Sequence, residues 1–150
     1  MPFDRLIAAI DNWALAHPEV EIFAQIGHAD YRPRNMPYAG FLPPDEFRSR
    51  VHAADFLVSH AGTGSIFAAL THGKPILIVP RRAALRETRN DHQVATAERF
   101  KGRSGILVAM DEVELIAQLD LLRITPCPKP ISPWASPELL DAVRAFVFSD

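Results

Sequence analysis

Residues 55–100 constrain this chain more than any other stretch. They read DFLVSHAGTGSIFAALTHGKPILIVPRRAALRETRNDHQVATAERF. Phe56, Leu57 and Val58 form a short apolar run that ends at Ser59 and His60. A glycine turn follows, Ala61-Gly62-Thr63-Gly64-Ser65. Ile66, Ala69 and Leu70 then recur at helical spacing, and Gly73 with Pro75 stops that helix. Ile76 to Val79 reads as a buried strand. A polar loop from Arg81 to Asp91 leads into a further helix at His92-Gln93. The order is strand, glycine turn, helix, strand, long polar loop, helix.

That order has a chemical use. A glycine turn between strand and helix lets the backbone come close to a ligand. The helix then begins with unbonded N–H groups and the positive end of its dipole, which favour a phosphate or diphosphate. Ser65 can add a hydroxyl, as an N-cap or as a phosphate donor. A bare Gly-x-Gly is also what any tight strand-to-helix turn needs, so the glycines alone leave both readings open.

The flanking sequence fills in the architecture. Pro2 to His17 reads as a helix with Phe3, Leu6, Ile7, Ile10 and Ala14 in one apolar stripe. Asp4, Arg5 and Asp11 lie off that stripe. Glu19 to Ile26 reads as a strand and Tyr38 to Leu42 as a short one, with an irregular loop between them. Pro43-Pro44-Asp45 opens a helix to Ala54. Gly105 to Ala109 is a further strand. Asp111 with Glu114 makes a capping-box-like start to a helix through Leu122. Residues 124–136 form a proline-rich crossing loop, and a last helix spans 137–148. Alternating strands and helices predict one α/β domain over 1–150, a Rossmann-like doubly wound parallel sheet with ligands beyond the C-terminal strand ends. Both loops of interest, Ser59–Ser65 and Pro80–Gln93, follow such ends.

Composition excludes some classes. Net charge is −2, so no global basic character argues for nucleic acid. Cys127 is alone, so neither a disulfide framework nor a clustered thiol metal site is expected, and a reducing cytoplasm fits. His17, His28, His52 and His72 lack metal-site spacing. No apolar run reaches the length of a membrane span, and neither a signal peptide nor a repeat is visible.

The residues Ser59-His60-Ala61-Gly62-x-Gly64-Ser65, Gly73-Lys74-Pro75, Val79-Pro80-Arg81 and Asp91-His92-Gln93 stand at fixed gaps. Together they resemble the donor-binding C-terminal domain of glycosyltransferase family 28. They are most similar to the small catalytic subunits of two-chain bacterial exopolysaccharide and capsule glycosyltransferases. These in turn resemble the small subunit of the eukaryotic dolichol-diphosphate N-acetylglucosaminyltransferase. The resemblance implies the C-terminal half of a GT-B enzyme. Such families begin with a strand and a Gly-Thr turn before the Phe-Asp-x-Leu helix. Here Phe3-Asp4-Arg5-Leu6 is present but Met1 starts the chain, so an incomplete sheet with its first strand missing, and lower stability, is expected.

The resemblance assigns roles. Gly62, Thr63, Gly64 and Ser65 hold the donor diphosphate. His60 touches the diphosphate or sugar, or else is a histidine packed under the loop. Gln93 faces the sugar hydroxyls, to which an amide both donates and accepts. Asp91 caps its helix and can still touch the ligand, and His92 is a ligand residue or a packing one. Arg81, with Arg82, Arg86 and Arg89, forms an anion clamp or a solvated loop, with Glu87 as an internal partner. More distant members carry a ribose-binding glutamate where this chain has Ala68.

The implied activity is inverting, metal- and cofactor-free transfer of a hexosyl or glucuronosyl group from a UDP-sugar to a polyprenyl-diphosphate-linked sugar. Exopolysaccharide synthesis is the implied setting. No convincing general base is visible, so it is expected on a membrane-anchored acceptor-binding subunit that recruits this cytoplasmic chain to the inner membrane face. The expected docking surfaces are the rim at His60–Ser65 and the last helix, whose Phe146, Val147 and Phe148 either meet the partner or fold back over the gap left by the missing first strand. Three other readings compete. A UDP-sugar epimerase would need a second nucleotide-sugar domain. A non-catalytic partner-binding module would not bind UDP. A nicotinamide-binding module would need Gly-x-Gly-x-x-Gly after its first strand, but position 67 is Phe67.

Overall fold

A computed structural model describes residues 2–132 and 134–147. Pro133 of the crossing loop and Phe148 of the expected last helix lie outside the described residues. In chain order the elements are α1 (Asp4–Ala16), β1 (Ala24–Gln25), β2 (Tyr38–Ala39), α2 (Pro44–Ala53), β3 (Leu57–His60) and α3 (Thr63–Thr71). Then come β4 (Ile76–Val79), a 3-10 turn at Ala83–Leu85, α4 (His92–Phe100), β5 (Ile106–Val108), α5 (Glu112–Ile124) and α6 (Pro137–Val147).

The central sheet is parallel, in the order β3-β4-β5, with β4 in the middle. β4 explains its own position: Ile76, Leu77, Ile78 and Val79 are all essentially fully buried, and a strand covered on both faces needs no polar alternation. Leu77 and Val79 join the core with Phe3, Trp13, Leu115, Leu119 and Leu122, from α1 and α5. Ile76 and Ile78 join Ile66, Ala69, Ala97, Ile106 and Val108, the side of α3 and α4. Helices therefore cover both faces, which is the doubly wound arrangement. Each buried aliphatic side chain contributes about 1.5–3 kcal/mol, so β4 is the mechanical centre of the domain.

The crossing segment after α5 is seated by two glycines. At Gly73 (φ +64°) an added Cβ would lie 2.9 Å from the Pro130 ring, and at Gly105 (φ +75°) 2.4 Å from that of Pro128. Ile131 N–H donates to the Leu70 carbonyl at 3.1 Å.

Several boundaries depart from the sequence reading. Glu19–Ile26 does not form a full strand: only Ala24–Gln25 is paired, with Tyr38–Ala39. The chain before it runs beside a cleft of about 910 Å³, whose lining includes Ile22, Phe23, Val58, Ile10 and Ala68. Apolar β-branched residues do not make a strand without a ladder partner. Among the described residues β3 pairs only with β4, so its other edge is unpaired. The α1 stripe packs inward as expected, with Phe3 and Ala14 buried and Leu6 and Ile10 against the core, but one residue off it is buried as well. Asp11 is 1 % exposed, as buried as the apolar residues around it.

Candidate functional site

β3 and α3 create the first wall. β3 ends at His60, and Gly62 (φ −91°, ψ 136°) is the N-cap of α3. No side chain caps this helix, so Ser65 is not its N-cap as one sequence reading allowed. Ser65 lies inside the first turn, and the N–H groups of Thr63, Gly64 and Ser65 have no intrahelical acceptor. The two glycines serve different ends. The His60 ring lies against Gly62, where a Cβ would sit 2.1 Å from a ring carbon. At Gly64 a Cβ would meet nothing within 4 Å. Gly62 answers to the protein interior, whereas Gly64 opens onto free space.

β4 and the loop after it make the second wall. Arg81 follows Pro80, and its N–H donates to Gln93 Oε1 at 3.1 Å. Gln93 is only 5 % exposed, and its Nε2 donates no hydrogen bond to the described protein. The residue thus turns one end inward and keeps its amide donor uncommitted. Asp91 stands at the α4 N-cap position but does not cap: its Oδ1 accepts from the Ala83 N–H at 2.8 Å instead. Asp91 therefore closes the arginine loop rather than the helix. His92 is exposed, with Nδ1 against Asn90 Oδ1.

The two walls meet at His60 and Arg81. Two buried nitrogens there, His60 Nδ1 and Arg81 Nε, have no hydrogen-bond partner. Burial pulls the His60 pKa down to about 4, and the positive charges of Arg81 and His92 pull it in the same direction. His60 is therefore neutral at physiological pH. Arg81 is also pulled down by burial, opposed by the charge of Glu87. A cationic guanidinium, a neutral imidazole and three free amides face the same region without an internal anion. Buried polar groups are normally satisfied, and groups left open together form a site for an acceptor-rich ligand.

The arginine cluster divides. Arg82 donates to the Met110 carbonyl at 2.6 Å and so turns away from His60. The Arg86 and Arg89 side chains are exposed and hold no hydrogen bond or ion pair with the described residues. A four-arginine clamp is not formed. Of these four arginines, only Arg81 has a charge that bears on His60.

The model of the glycosyltransferase family 28 C-terminal domain matches residues 3–127. The chain belongs to this family. The family 28 domain thus includes both walls of the crevice. It is 27 % identical over 128 residues to a UDP-N-acetylglucosamine transferase subunit ALG13 from Yarrowia lipolytica (strain CLIB 122 / E 150). That match covers 74 % of this chain and 61 % of the yeast protein. A crystal structure described as the glycotransferase of kitacinnamycin superposes with a TM-score of 0.60 at 23 % identity. It covers 79 % of this chain and 30 % of the larger one. The chain therefore spans under two thirds of either relative, and the second likeness concerns the fold, Rossmann-like and typical of a GT-B half.

Sequence reasoning missed three contributors to this end of the molecule. The sequence reading places Phe3 in the apolar stripe of α1 and leaves Arg5 and Asp11 off it without a partner. Arg5 in fact pairs with Glu87, and Asp11 holds the loop after β1. The available signal was a charge on each side of a short apolar stripe at the start of a helix.

Proposed function

We propose that this chain is the donor-binding part of a UDP-sugar-dependent glycosyltransferase. The observation that carries the reading is the pair of unpartnered nitrogens, His60 Nδ1 and Arg81 Nε, beside the uncapped start of α3. In a family 28 domain this crevice suits the diphosphate of a nucleotide sugar. The reaction is a displacement at the anomeric carbon. A hydroxyl oxygen of the acceptor forms the new glycosidic bond as the bond from the sugar to the β-phosphate breaks. UDP leaves with the bonding pair, and the α3 amides and Arg81 take up the charge that develops on it. Attack from the opposite face inverts the anomeric configuration. No metal or cofactor is required for this step.

The acceptor proton must go to a base. His60 is poorly suited, since its pKa of about 4 makes it a weak acceptor at neutral pH. We assign the base to a membrane-anchored partner subunit that also binds the acceptor, a polyprenyl-diphosphate-linked sugar. Two observations support a partner. The relative from Yarrowia lipolytica is described as a transferase subunit. And α6 has no buried residue, with Leu139, Leu140, Val143, Phe146 and Val147 all exposed. No helix among the described residues is long and apolar enough to cross a membrane, so a lipid-linked acceptor would be met through the partner at the inner membrane face. The transferred group is hexosyl or glucuronosyl, and exopolysaccharide synthesis is the setting we propose.

The test has two stages. UDP binding to this chain is measured by calorimetry, and absence of binding rejects the donor site. Sugar transfer to a polyprenyl-diphosphate sugar is then assayed with and without the neighbouring membrane subunit. Full activity from this chain alone rejects the partner.

A further inference from the structure

Three consecutive residues at the end of β4 have their main chain held by distant side chains. The Pro80 carbonyl accepts from Arg5 Nη2 at 3.1 Å. The Arg81 N–H donates to Gln93. The Arg82 N–H donates to Glu87 Oε2 at 3.0 Å. Arg5 and Glu87 are joined to each other by two bonds, Nε to Oε1 at 2.8 Å and Nη2 to Oε2 at 3.0 Å. Arg5 Nη1 also reaches Glu112 Oε2 at 3.2 Å. This pair is nearly buried, with side-chain exposures of 13 % and 9 %. The hydrogen bond that Arg5 donates to Glu87 outweighs burial and raises the Arg5 pKa, so the guanidinium stays charged.

The Arg81 side chain is treated differently. Its guanidinium carbon lies 5.2 Å from the centre of the Phe3 ring, and Arg5 lies 5.1 Å from the same ring. An aromatic face supports a cation without neutralising it. No carboxylate among the described residues bonds to Arg81, and Glu87, whose charge bears on it, is already engaged by Arg5 and by the Arg82 N–H. The loop is therefore locked while one charge on it is left unbalanced.

We infer that Arg5, Glu87 and Phe3 are positioning residues for Arg81. The ion pair fixes the main chain on either side of it, and the ring supports its guanidinium. Neither supplies a counter-ion, so the charge remains available to an anionic group of the donor. An arginine on a free loop would surrender its conformational freedom on binding. Here most of that freedom is surrendered on folding. The inference deepens, and rests on, the donor-site reading above.

The test is a double-mutant cycle on UDP affinity, measured by calorimetry in the parent chain, Glu87→Ala, Arg81→Ala and the double variant. Glu87→Ala should weaken UDP binding roughly tenfold when Arg81 is present and hardly at all when it is absent, a coupling of ordinary size for connected residues. Its effect on thermal stability should be alike in both backgrounds. Equal loss of affinity in both backgrounds would reduce Glu87 to a purely structural role and overturn the inference. Glu87→Gln, which keeps the shape, replaces Glu87→Ala should the latter fail to fold. A second measurement needs no ligand. Amide exchange at Arg81 and Arg82 should quicken in Glu87→Ala relative to that at Val79. Unchanged exchange overturns the positioning whether or not the chain binds UDP, whereas failure of the parent to bind UDP strikes the donor reading alone.

Discussion

Two regions of this domain bury polar groups, and they treat them in opposite ways. Behind α1, Asp11 accepts from the Tyr31 hydroxyl at 2.8 Å, the Arg34 N–H at 3.0 Å and the Asn35 N–H at 2.8 Å. Burial pushes its carboxyl pKa up, but those donors push harder, so it lies below its usual value. At the crevice, His60 Nδ1 and Arg81 Nε are buried and have no hydrogen-bond partner among the described residues. A satisfied buried carboxylate contributes to folding, whereas an unsatisfied pair costs stability and is retained where a ligand completes it. The difference separates groups closed within the fold from groups left open at the proposed donor site.

The comparison breaks most easily at Asp11. Asp11→Ala leaves three donors without their acceptor and should cost about 3 kcal/mol of stability, read from denaturant midpoints. A loss below about 1 kcal/mol would show that water replaces the carboxylate and that the region is not an anchor. The acid limb gives an independent check. The folded pKa of Asp11 is depressed, so its contribution is present above the unfolded value of 3.8 and is lost as pH falls below that through the folded value.

The glycines come next. Gly62→Ala drives a Cβ into the His60 ring and should cost about 2 kcal/mol of stability along with UDP affinity. At Gly64 an added Cβ has nothing within 4 Å, so Gly64→Val should change stability by only about 0.5 kcal/mol. Its side chain would enter the space assigned to the phosphates, and UDP binding should weaken by about 2 kcal/mol. Matching behaviour of the two variants would erase the distinction between an interior glycine and a ligand glycine.

His60 sharpens the comparison through pH. Its folded pKa of about 4 lies below the ordinary 6.5. Between those values the unfolded chain binds a proton that the folded chain refuses. Stability should therefore fall as pH drops from 6.5 towards 4 and level off below. The site is partly exposed, and solvent screening limits this contribution to about 2 kcal/mol. Saturating UDP should raise the His60 pKa, because a phosphate favours the imidazolium. An imidazole NMR titration that is unmoved by UDP would remove His60 from the ligand site.

The smallest effect concerns the arginines. A glucuronosyl donor carries a carboxylate that one guanidinium can pair with. Arg82 is bonded to Met110, so only Arg81→Ala should weaken UDP-glucuronate more than UDP-glucose, by about 1 kcal/mol. Arg82→Ala and Arg86→Ala should treat both donors alike. Equal losses across all three variants would favour a neutral hexose.

Much of this was legible beforehand. β4 was found to the residue, since a short apolar run flanked by Pro75 and Pro80 leaves few alternatives. Asp111 caps α5 through the Glu114 N–H at 2.9 Å, and Glu114 reaches back to the Met110 N–H, one residue before the cap. The roles of Asp91 and Arg82 were not legible. Each makes its bond to a residue eight or more positions away, and local pattern carries no information about such partners.

The sequence by itself determined the order of elements, the glycine turn between β3 and α3, and the family, because these depend on short-range spacing and on backbone preferences. The tertiary structure decided which polar groups are closed and which are open. Asp4, Arg5 and Asp11 sit on one helix, yet their partners are Tyr31, Glu87 and the 34–35 backbone, brought to α1 only when the chain folds. Gly62 and Gly64 are two residues apart, and only the place of the His60 ring tells them apart. Hydrogen-bond satisfaction belongs to three-dimensional neighbours, and in this domain it marks the crevice out from the scaffold.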